Sequence, residues 1–158
     1  VQIIYNIFRQ RPARLFFPQA QERGVAVIVR VPLASGMLTG KMTAASTFAP
    51  DDHRAFNRHG EAFDVGETFS GVDFDTGLEA VRRLAPHVPE GVTMAQWALR
   101  WVLDQPGVSV VIPGARNVEQ AQSNAAAAAL PAVRCHRCAA CWPPPRRPAR
   151  TPALPPGS

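Results

Sequence analysis

The sequence predicts an α/β fold of about three parallel strands with flanking helices. Apolar runs of strand length alternate with segments whose apolar residues recur at helical spacing. The last two strand runs each stop at Pro or Gly, where the chain can turn and expose backbone amides. Because a strand, a helix and a second strand form a right-handed crossover, we expect the strands to lie side by side and parallel.

The first three elements are predicted from local residue types. Residues 1–8 are β-branched and aromatic, which favours a strand. A helix follows, because Pro12 suits a first helical turn and Gly24 can end it. Residues 25–31 are almost wholly apolar, as expected of a strand covered on both faces. The helix is expected to present one apolar face, made of Ala13, Phe16, Phe17 and Ala20.

A long irregular connection is predicted over residues 33–73. Connections of this length are usually binding loops or disordered segments. Four phenylalanines predict that parts of it pack against the fold, namely Phe48, Phe56, Phe63 and Phe69.

Two helices and a final strand with its helix complete the predicted body. Thr76 is expected to cap the first helix, and Thr93 with Gln96 has the spacing of a capping box at the second. Residues 107–112 predict the third strand, and Asn117 a last helix that runs through the alanines. The second helix is expected to bury Trp97, Ala98, Trp101 and Val102.

Composition predicts one globular domain over residues 1–130 and a disordered tail over residues 131–158. The chain is 46% hydrophobic and 18% charged, and it has no apolar run of membrane-spanning length. Its net charge of +5 comes from arginines of the proline-rich tail, whereas the body is neutral. A neutral body lacks the basic patch typical of nucleic-acid binding. We therefore expect a cytoplasmic protein that binds neither nucleic acid nor membrane.

The cysteines are confined to the tail, at Cys135, Cys138 and Cys141. A metal site is one interpretation, but Pro145 occupies the position that would complete a ferredoxin-type spacing. The preferred interpretation assigns no metal and attributes the Pro/Arg/Cys-rich end to a shifted reading frame in GC-rich DNA. Val1 in place of an initiator Met likewise indicates a piece of a longer protein.

The turn after the third strand is predicted to receive a phosphate. Gly114 turns the chain ahead of a helix start, whose first amides and positive dipole end attract anions. Arg116 adds forked donors that suit the adenosine phosphate of NADP better than the neutral ribose hydroxyl of NAD. Gln120 and Asn124 lie four residues apart, where their amides can reach ribose or adenine. A plain helix cap beside a solvated arginine is the alternative.

The turn after the second strand contains the small residues that close approach to a pyrophosphate requires. Pro-Leu-Ala-Ser-Gly follows Arg30, so that backbone amides and the Ser35 hydroxyl can approach phosphate oxygens. Lys41, the only lysine, lies a few residues beyond and can pair with a phosphate. Alone, such a run is more often an ordinary turn. Its value as evidence for phosphate binding therefore depends on the turn after the third strand.

In order and spacing, the two stretches resemble the last strands of the aldo-keto reductase barrel, and residues 1–130 resemble its C-terminal half. The resemblance implies part of a TIM (β/α)8 barrel and an NADP(H) site. The glutamine of a Gln-x-x-Tyr strand, which binds the nicotinamide carboxamide in that family, corresponds to Gln2. The implied pyrophosphate side comprises Pro32, Leu33, Ala34, Ser35 and Lys41, and the implied adenosine-phosphate side comprises Gly114, Arg116, Gln120 and Asn124.

The chain departs from the family pattern at three points. Arg30 stands where an aromatic residue usually stacks on the nicotinamide, so a guanidinium plane would have to make that contact. Ser123 stands where a Glu often recognises the adenine amine. The family's catalytic Tyr, Lys, Asp and His come from the first half of the barrel, and Tyr5 lies on the wrong strand to donate the proton. No catalytic residue is therefore assigned.

The resemblance implies derivation from an NADP(H)-dependent enzyme that reduces aldehydes or ketones by hydride transfer, with a chain that is inactive alone. One alternative is a non-catalytic nicotinamide-nucleotide-binding module, or a split-barrel module that a missing N-terminal half completes. Another is a metal- or nucleic-acid-binding tail. Because three strands cannot close a barrel, we expect open sheet edges and marginal stability.

Overall fold

The computed structural model describes residues 1–133, which form a three-stranded parallel sheet with helices beside it. The strands β1 (Gln2–Ile4), β2 (Val27–Arg30) and β3 (Val108–Val111) lie in that order, with β2 in the centre. The predicted α/β class and parallel pairing are confirmed. The disordered tail and the cysteine alternatives stay predictions, because residues 134–158 lie outside the described part.

Five α-helices occur among the described residues: α1 (Pro12–Glu22), α2 (His53–Phe56), α3 (Phe74–Leu84), α4 (Met94–Leu103) and α5 (Val118–Ala126). Short 3₁₀ turns lie at Met37–Thr39, Val65–Glu67, Phe69–Gly71, Ala85–His87 and Ala127–Ala129. Within residues 1–133, no helix has the length and apolar character that crossing a bilayer demands.

The local helix signals are largely confirmed. Pro12 opens α1. In the capping box at α4, the Thr93 hydroxyl accepts a hydrogen bond from the Gln96 backbone amide, and Gln96 Oε1 accepts one from the Thr93 backbone amide. The predicted face of α4 is buried, with Trp97, Ala98, Trp101 and Val102 at most 4% exposed.

The start of α3 differs from the prediction. The Asp73 carboxylate accepts hydrogen bonds from the Thr76 amide (3.1 Å) and hydroxyl (2.9 Å), so Asp73 is the cap and the helix begins at Phe74. A carboxylate satisfies the first amides and also favours the positive helix end, which explains why it displaces the hydroxyl as the cap.

The predicted first strand is wrong beyond Ile4, because Asn6 bends the chain. The Asn6 side chain is fully buried, and its Oδ1 accepts hydrogen bonds from the amides of Phe8 (3.0 Å) and Arg9 (3.1 Å). The Asn6 side chain accepts the hydrogen bonds that these backbone amides would otherwise donate to a neighbouring strand. The apolar residues that follow are buried in a turn instead.

Coverage of the strands on both faces is also wrong for the described residues. Val27 and Val29 are fully buried, but Ile28 and Arg30, which alternate with them along β2, are partly exposed. On β3, Val110 is 47% exposed. The core therefore lies mainly on one face of the sheet. The opposite face, here called the open face, is partly exposed, although Ile4 on it is buried. The outer edges of β1 and β3 have no neighbouring strand among the described residues.

An aromatic cluster joins β1, α1 and α4 on the covered face. The Tyr5 ring stacks on Trp101 at 5.6 Å between centroids and lies 4.8 Å from Phe17. The Tyr5 hydroxyl donates a hydrogen bond to Gln105 (3.2 Å), and burial raises the pKa of the phenol above its usual range. Tyr5 is consequently a core residue with a firmly held proton.

The substitution Gly77→Ala, which adds one methyl group, tests the packing between α3 and the turn after β2. A Cβ built at Gly77 would overlap the sulfur of Met37, which is fully buried. Alanine normally stabilises a helix interior by about 1 kcal/mol relative to glycine. We expect Gly77→Ala instead to lower the free energy of unfolding by about 1–2 kcal/mol, because overpacking outweighs that preference.

Urea unfolding followed by circular dichroism measures the effect of Gly77→Ala. The exposed α3 residue Arg82 provides the control, since Arg82→Ala should change stability by less than about 0.5 kcal/mol. A stabilised Gly77→Ala variant would contradict the packing seen between Gly77 and Met37.

Candidate functional site

The turns that follow β2 and β3 leave the sheet at the same edge, because the strands are parallel. Both turns line one open cleft of about 750 Å³. Most of the predicted binding residues line this cleft: Leu33, Ser35, Lys41, Gly114, Arg116, Gln120 and Asn124. The two stretches therefore converge in space, and their role in binding stays a prediction.

Four predicted residues lie outside the cleft lining. Pro32 and Ala34 are buried within the turn after β2, so they shape it and have no exposed surface of note. Gln2 is exposed on β1, and Arg30 ends β2 in an ion pair with Glu67. Because Gln2 pairs in register with Ile28 and side chains alternate, Gln2 and Arg30 share the open face of the sheet.

The turn after β2 is held in an unusual backbone conformation. Val31, Ala34 and Ser35 have φ values of 52°, 48° and 56°, in the left-handed region that residues other than glycine rarely adopt. Each such residue costs on the order of 1–3 kcal/mol and persists only where its surroundings hold it. The buried Asn6 amide donates hydrogen bonds to the Val31 carbonyl (2.8 Å) and the Ser70 hydroxyl (2.7 Å), which anchors the turn.

The Ser35 hydroxyl is already used inside the protein. It accepts a hydrogen bond from the Phe69 amide (3.2 Å) and donates one to the Glu67 carbonyl (3.3 Å). A hydroxyl has a single proton to donate, so in this arrangement it has none for a phosphate. The Ser35 backbone amide, which has no acceptor among residues 1–133, is the donor that remains.

The turn after β3 is fixed by the amide side chains of α5. Gln120 Oε1 accepts a hydrogen bond from the Arg116 amide (2.9 Å), and Asn124 Nδ2 donates one to the Gly114 carbonyl (3.1 Å). The Asn117 side chain caps the helix through the Gln120 amide (2.8 Å). Each amide thus has one atom bound to the turn, which leaves Gln120 Nε2 and Asn124 Oδ1 without a protein partner in the described part.

The start of α5 and Arg116 make this end of the cleft receptive to anions. The amides of Val118 and Glu119 precede the first intrahelical hydrogen bonds. The Arg116 guanidinium is exposed and has no carboxylate partner among the residues that the structure describes. Glu119, in the first turn of α5, stabilises the helix but repels an incoming anion. Arg116 is therefore the group that supplies positive charge at this end of the cleft.

Sequence reasoning missed a third cation in the cleft, Arg54. Its guanidinium binds the Asp52 carboxylate through Nε–Oδ1 (2.9 Å) and Nη2–Oδ2 (2.5 Å), and it lies 4.5 Å from the Phe48 ring centroid. This guanidinium holds the pKa of Asp52 well below its usual range. The remaining Nη1 lies 3.5 Å from the Ser35 carbonyl, which joins α2 to the turn after β2.

Only the Asp-x-Arg spacing in the long connection could have pointed to Arg54. That spacing is weak evidence, since the connection has to fold back over the turn before the arginine reaches the cleft. Residues also missed in the cleft lining are Thr39, Met42, Asp52, His53 and Thr93, whereas Ser123, singled out in the sequence as a departure from the family pattern, does line it. Among residues 1–133, no group of His, Cys, Asp and Glu is arranged to hold a metal ion.

The Asp52 carboxylate predicts a pH-dependent contribution to stability. Because its pKa is lower in the folded chain than in the unfolded chain, the contribution is full above the ordinary carboxyl pKa of about 3.9. It is lost as the pH falls below that value toward the lower folded pKa. We expect the stability difference between the unmodified chain and Asp52→Asn, measured by urea unfolding, to shrink from pH 6 to pH 3. A difference that is constant across that interval would contradict the ion pair.

Fold and cleft together define a protein of the parallel α/β class with an anion-receptive cleft at the strand ends. The family model described as the aldo/keto reductase family matches residues 1–142. The chain therefore belongs to the aldo-keto reductase family. Members of this family are oxidoreductases that bind nicotinamide nucleotides.

Individual relatives agree with the family match. An aldo-keto reductase of Bacillus subtilis is 31% identical over 125 residues, which are 78% of this chain and 35% of that protein. A probable voltage-gated potassium channel beta subunit of Arabidopsis thaliana is 34% identical over 127 residues, 76% of this chain and 35% of that protein. The chain thus spans about a third of the length of the curated relatives it matches.

Solved structures show the same fold. A glycerol dehydrogenase from Gluconobacter oxydans matches with a TM-score of 0.61 and 27% identity, covering 77% of this chain and 35% of that one. The holo form of an aldo-keto reductase from Bacillus halodurans matches with a TM-score of 0.56 and 23% identity over 84% of this chain and 37% of that one. The partial TIM barrel implied by the resemblance is confirmed as the fold class.

Proposed function

We propose that this chain provides the phosphate-binding side of an NADP(H) site in an oxidoreductase that acts on aldehydes or ketones. The observation that carries the proposal is the one cleft between two strand ends, which is lined by Lys41, Arg116 and the Asp52-paired Arg54 and lies next to the start of α5. Lys41, Arg54 and Arg116 all line this cleft. Dinucleotide phosphates need such convergent cations and free amides.

The proposed contacts follow from the placement of the donors. The Ser35 amide, Lys41 and Arg54 face the pyrophosphate, with Leu33 beside it and Pro32 and Ala34 shaping the turn. Gly114 and Arg116 with the α5 start would hold the adenosine phosphate, which favours NADP over NAD. Gln120 Nε2 and Asn124 Oδ1 are left for ribose or adenine. Gln2 and Arg30 would meet the nicotinamide end on the open face.

When bound, NADP(H) supplies the hydride that is exchanged with the carbonyl substrate. The described residues bind and orient the nucleotide. The Tyr5 hydroxyl is not available to protonate a substrate, because it is buried beside Gln105 with a raised pKa. We therefore propose that the chain alone binds the nucleotide without turnover. A cytoplasmic location stays a prediction.

Nucleotide titration and a turnover assay test this proposal on the full chain. We expect NADPH fluorescence to change saturably on binding, and 2′,5′-ADP to compete for the same site. We expect no NADPH oxidation with a reactive aldehyde beyond the rate without protein. Absence of NADPH binding at millimolar nucleotide would contradict the proposed site, and sustained turnover would contradict the proposed inactivity.

A second candidate is a non-catalytic module that binds nicotinamide nucleotide or completes a split barrel. The observation in its favour is the exposed edge and open face around β3, where Val110 and Ile112 are 47% and 44% exposed. Apolar side chains on a strand whose outer edge is unpaired among the described residues fit pairing with a further β/α segment.

Complementation separates this second candidate from the first. We would co-express the chain with the N-terminal part of the Bacillus subtilis relative that the similarity does not cover. Stable co-purification with aldehyde-dependent NADPH oxidation would indicate a split enzyme. Co-purification without turnover would indicate a binding module, and no association would leave the separate nucleotide-binding chain.

A further inference from the structure

We propose that Glu67 positions Arg30 as a flat, charge-balanced surface for the nicotinamide ring, so that the site accepts oxidised and reduced nucleotide alike. This inference rests on the proposed NADP(H) site and concerns its nicotinamide end. It assigns Glu67, in the 3₁₀ turn Val65–Glu67, the role of a positioning residue that acts through Arg30.

The ion pair has the geometry of a planar unit. Arg30 Nη1 and Nη2 donate hydrogen bonds to Glu67 Oε2 (2.7 Å) and Oε1 (2.6 Å), respectively. Two parallel hydrogen bonds of this kind keep the guanidinium and the carboxylate close to one plane. The Arg30 and Glu67 side chains are 37% and 30% exposed, so a ligand can reach the pair while its two hydrogen bonds fix its geometry.

The pair also lies where the far end of a nucleotide would reach. Arg30 is the last residue of β2 and lies on the open face, one residue before the turn whose Ser35 lines the phosphate cleft. The Ser35 hydroxyl donates to the Glu67 carbonyl (3.3 Å), so the phosphate turn and the Glu67 turn are joined. A nucleotide anchored with its adenosine phosphate at Arg116 would extend past Ser35 toward this pair.

Charge explains why a carboxylate is useful at this position. The nicotinamide ring is cationic when oxidised and neutral when reduced, and an unpaired guanidinium would repel the oxidised ring. The Arg30 hydrogen bonds, and beyond them the charges of Arg9 and His53, lower the pKa of Glu67, which stays ionised near neutral pH. With Glu67 in place the Arg30 charge is balanced, and the flat guanidinium can still stack on the ring.

The test compares the affinities of the full chain for NADP⁺, NADPH and 2′,5′-ADP. Glu67→Gln keeps the size of the side chain and removes its charge. We expect this variant to bind NADP⁺ about tenfold more weakly than the unmodified chain, from the uncompensated charge. NADPH affinity should change by less than about threefold, and 2′,5′-ADP, which lacks the nicotinamide, should bind as before.

Two further variants distinguish positioning from general structure. Glu79 pairs with Arg82 and Arg83 on α3, so Glu79→Gln loses comparable ion pairs away from the cleft and should leave all three affinities unchanged. Arg30→Tyr combined with Glu67→Gln removes both charges of the pair, so the ratio of NADP⁺ to NADPH affinity in this double variant should return to that of the unmodified chain.

Equal weakening of all three nucleotides by Glu67→Gln would overturn the inference, because it would show that Glu67 only supports the Ser35 turn. An unchanged ratio of NADP⁺ to NADPH affinity would overturn it as well. Failure of the unmodified chain to bind 2′,5′-ADP and NADPH is a different result, which would remove the proposed nucleotide site itself and this inference with it.

Discussion

Replacing Arg116 with alanine is expected to weaken NADPH binding by about 1.5–3 kcal/mol, or roughly tenfold to a hundredfold. Arg116 lies exposed in the cleft at the start of α5 and has no carboxylate partner in the described part of the chain. Its guanidinium is therefore available to an adenosine phosphate. NADH lacks that phosphate, so its affinity should change little. Isothermal titration calorimetry at constant ionic strength measures both affinities.

The control for Arg116→Ala is Arg82→Ala, which removes an equal charge from an exposed position on α3. We expect it to leave the affinities for NADPH and NADH unchanged apart from a small, salt-dependent effect. Equal losses for NADPH and NADH with Arg116→Ala would assign Arg116 to the pyrophosphate instead. No loss for either nucleotide would show that the turn after β3 is only a helix cap.

Replacing Phe69 with alanine is expected to lower the free energy of unfolding by about 3–5 kcal/mol. Phe69 is 1% exposed and packs against Phe48 (6.0 Å between centroids) and Phe74 (5.2 Å). Removal of the ring leaves a cavity among aromatic residues that are fixed by neighbouring elements. The Phe69 amide also donates to Ser35, so loosening this segment should weaken NADPH binding as well.

Phe63 provides the matched control in the same connection, because it is 54% exposed and its ring lies 5.8 Å from that of Phe56. We expect Phe63→Ala to cost less than about 1 kcal/mol in the same urea experiment. Similar losses for the two variants would contradict the packing of the connection against the fold. If Phe69→Ala does not fold, Phe69→Leu, with a smaller expected loss, measures the same contact.

The elements that could be predicted from the sequence are those set by neighbouring residues. Pro12 opens α1, and the Thr93–Gln96 capping box starts α4, because both act within one helical turn. The buried face of α4 around Trp97 and Trp101 follows from spacing alone. These signals do not depend on the tertiary fold.

The sequence-based predictions were wrong where a side chain contacts a residue that is distant in the sequence. Asn6 ends β1 because its amide reaches both the following turn and Val31, which an apolar run does not reveal. The Ser35 hydroxyl is occupied by the Glu67 and Phe69 backbone, across more than thirty residues of chain. Arg54 joins the cleft for the same reason, since the long connection has to fold back before the guanidinium arrives there.

The exposed face of β3 has a related explanation. Alternation and apolar character predict burial, yet burial needs a neighbouring layer, and the described residues supply one on a single face of the sheet. The convergence of the two turns could be predicted, by contrast, because parallel strands bring their carboxyl ends to one edge. The exposure of β3 and the convergence of the turns both depend on topology. Only the convergence follows from the order of the parallel strands alone.

The most direct test of this account is a titration of the ¹⁵N-labelled chain with NADPH, followed by the backbone amide resonances of both turns. The central claim is that the turn after β2 and the turn after β3 bind the phosphates of one nucleotide. We predict that the amides of Ser35 and Gly36 and those of Arg116 and Val118 shift along a single binding curve with one dissociation constant. Shifts confined to one turn, or different constants for the two turns, would contradict the claim.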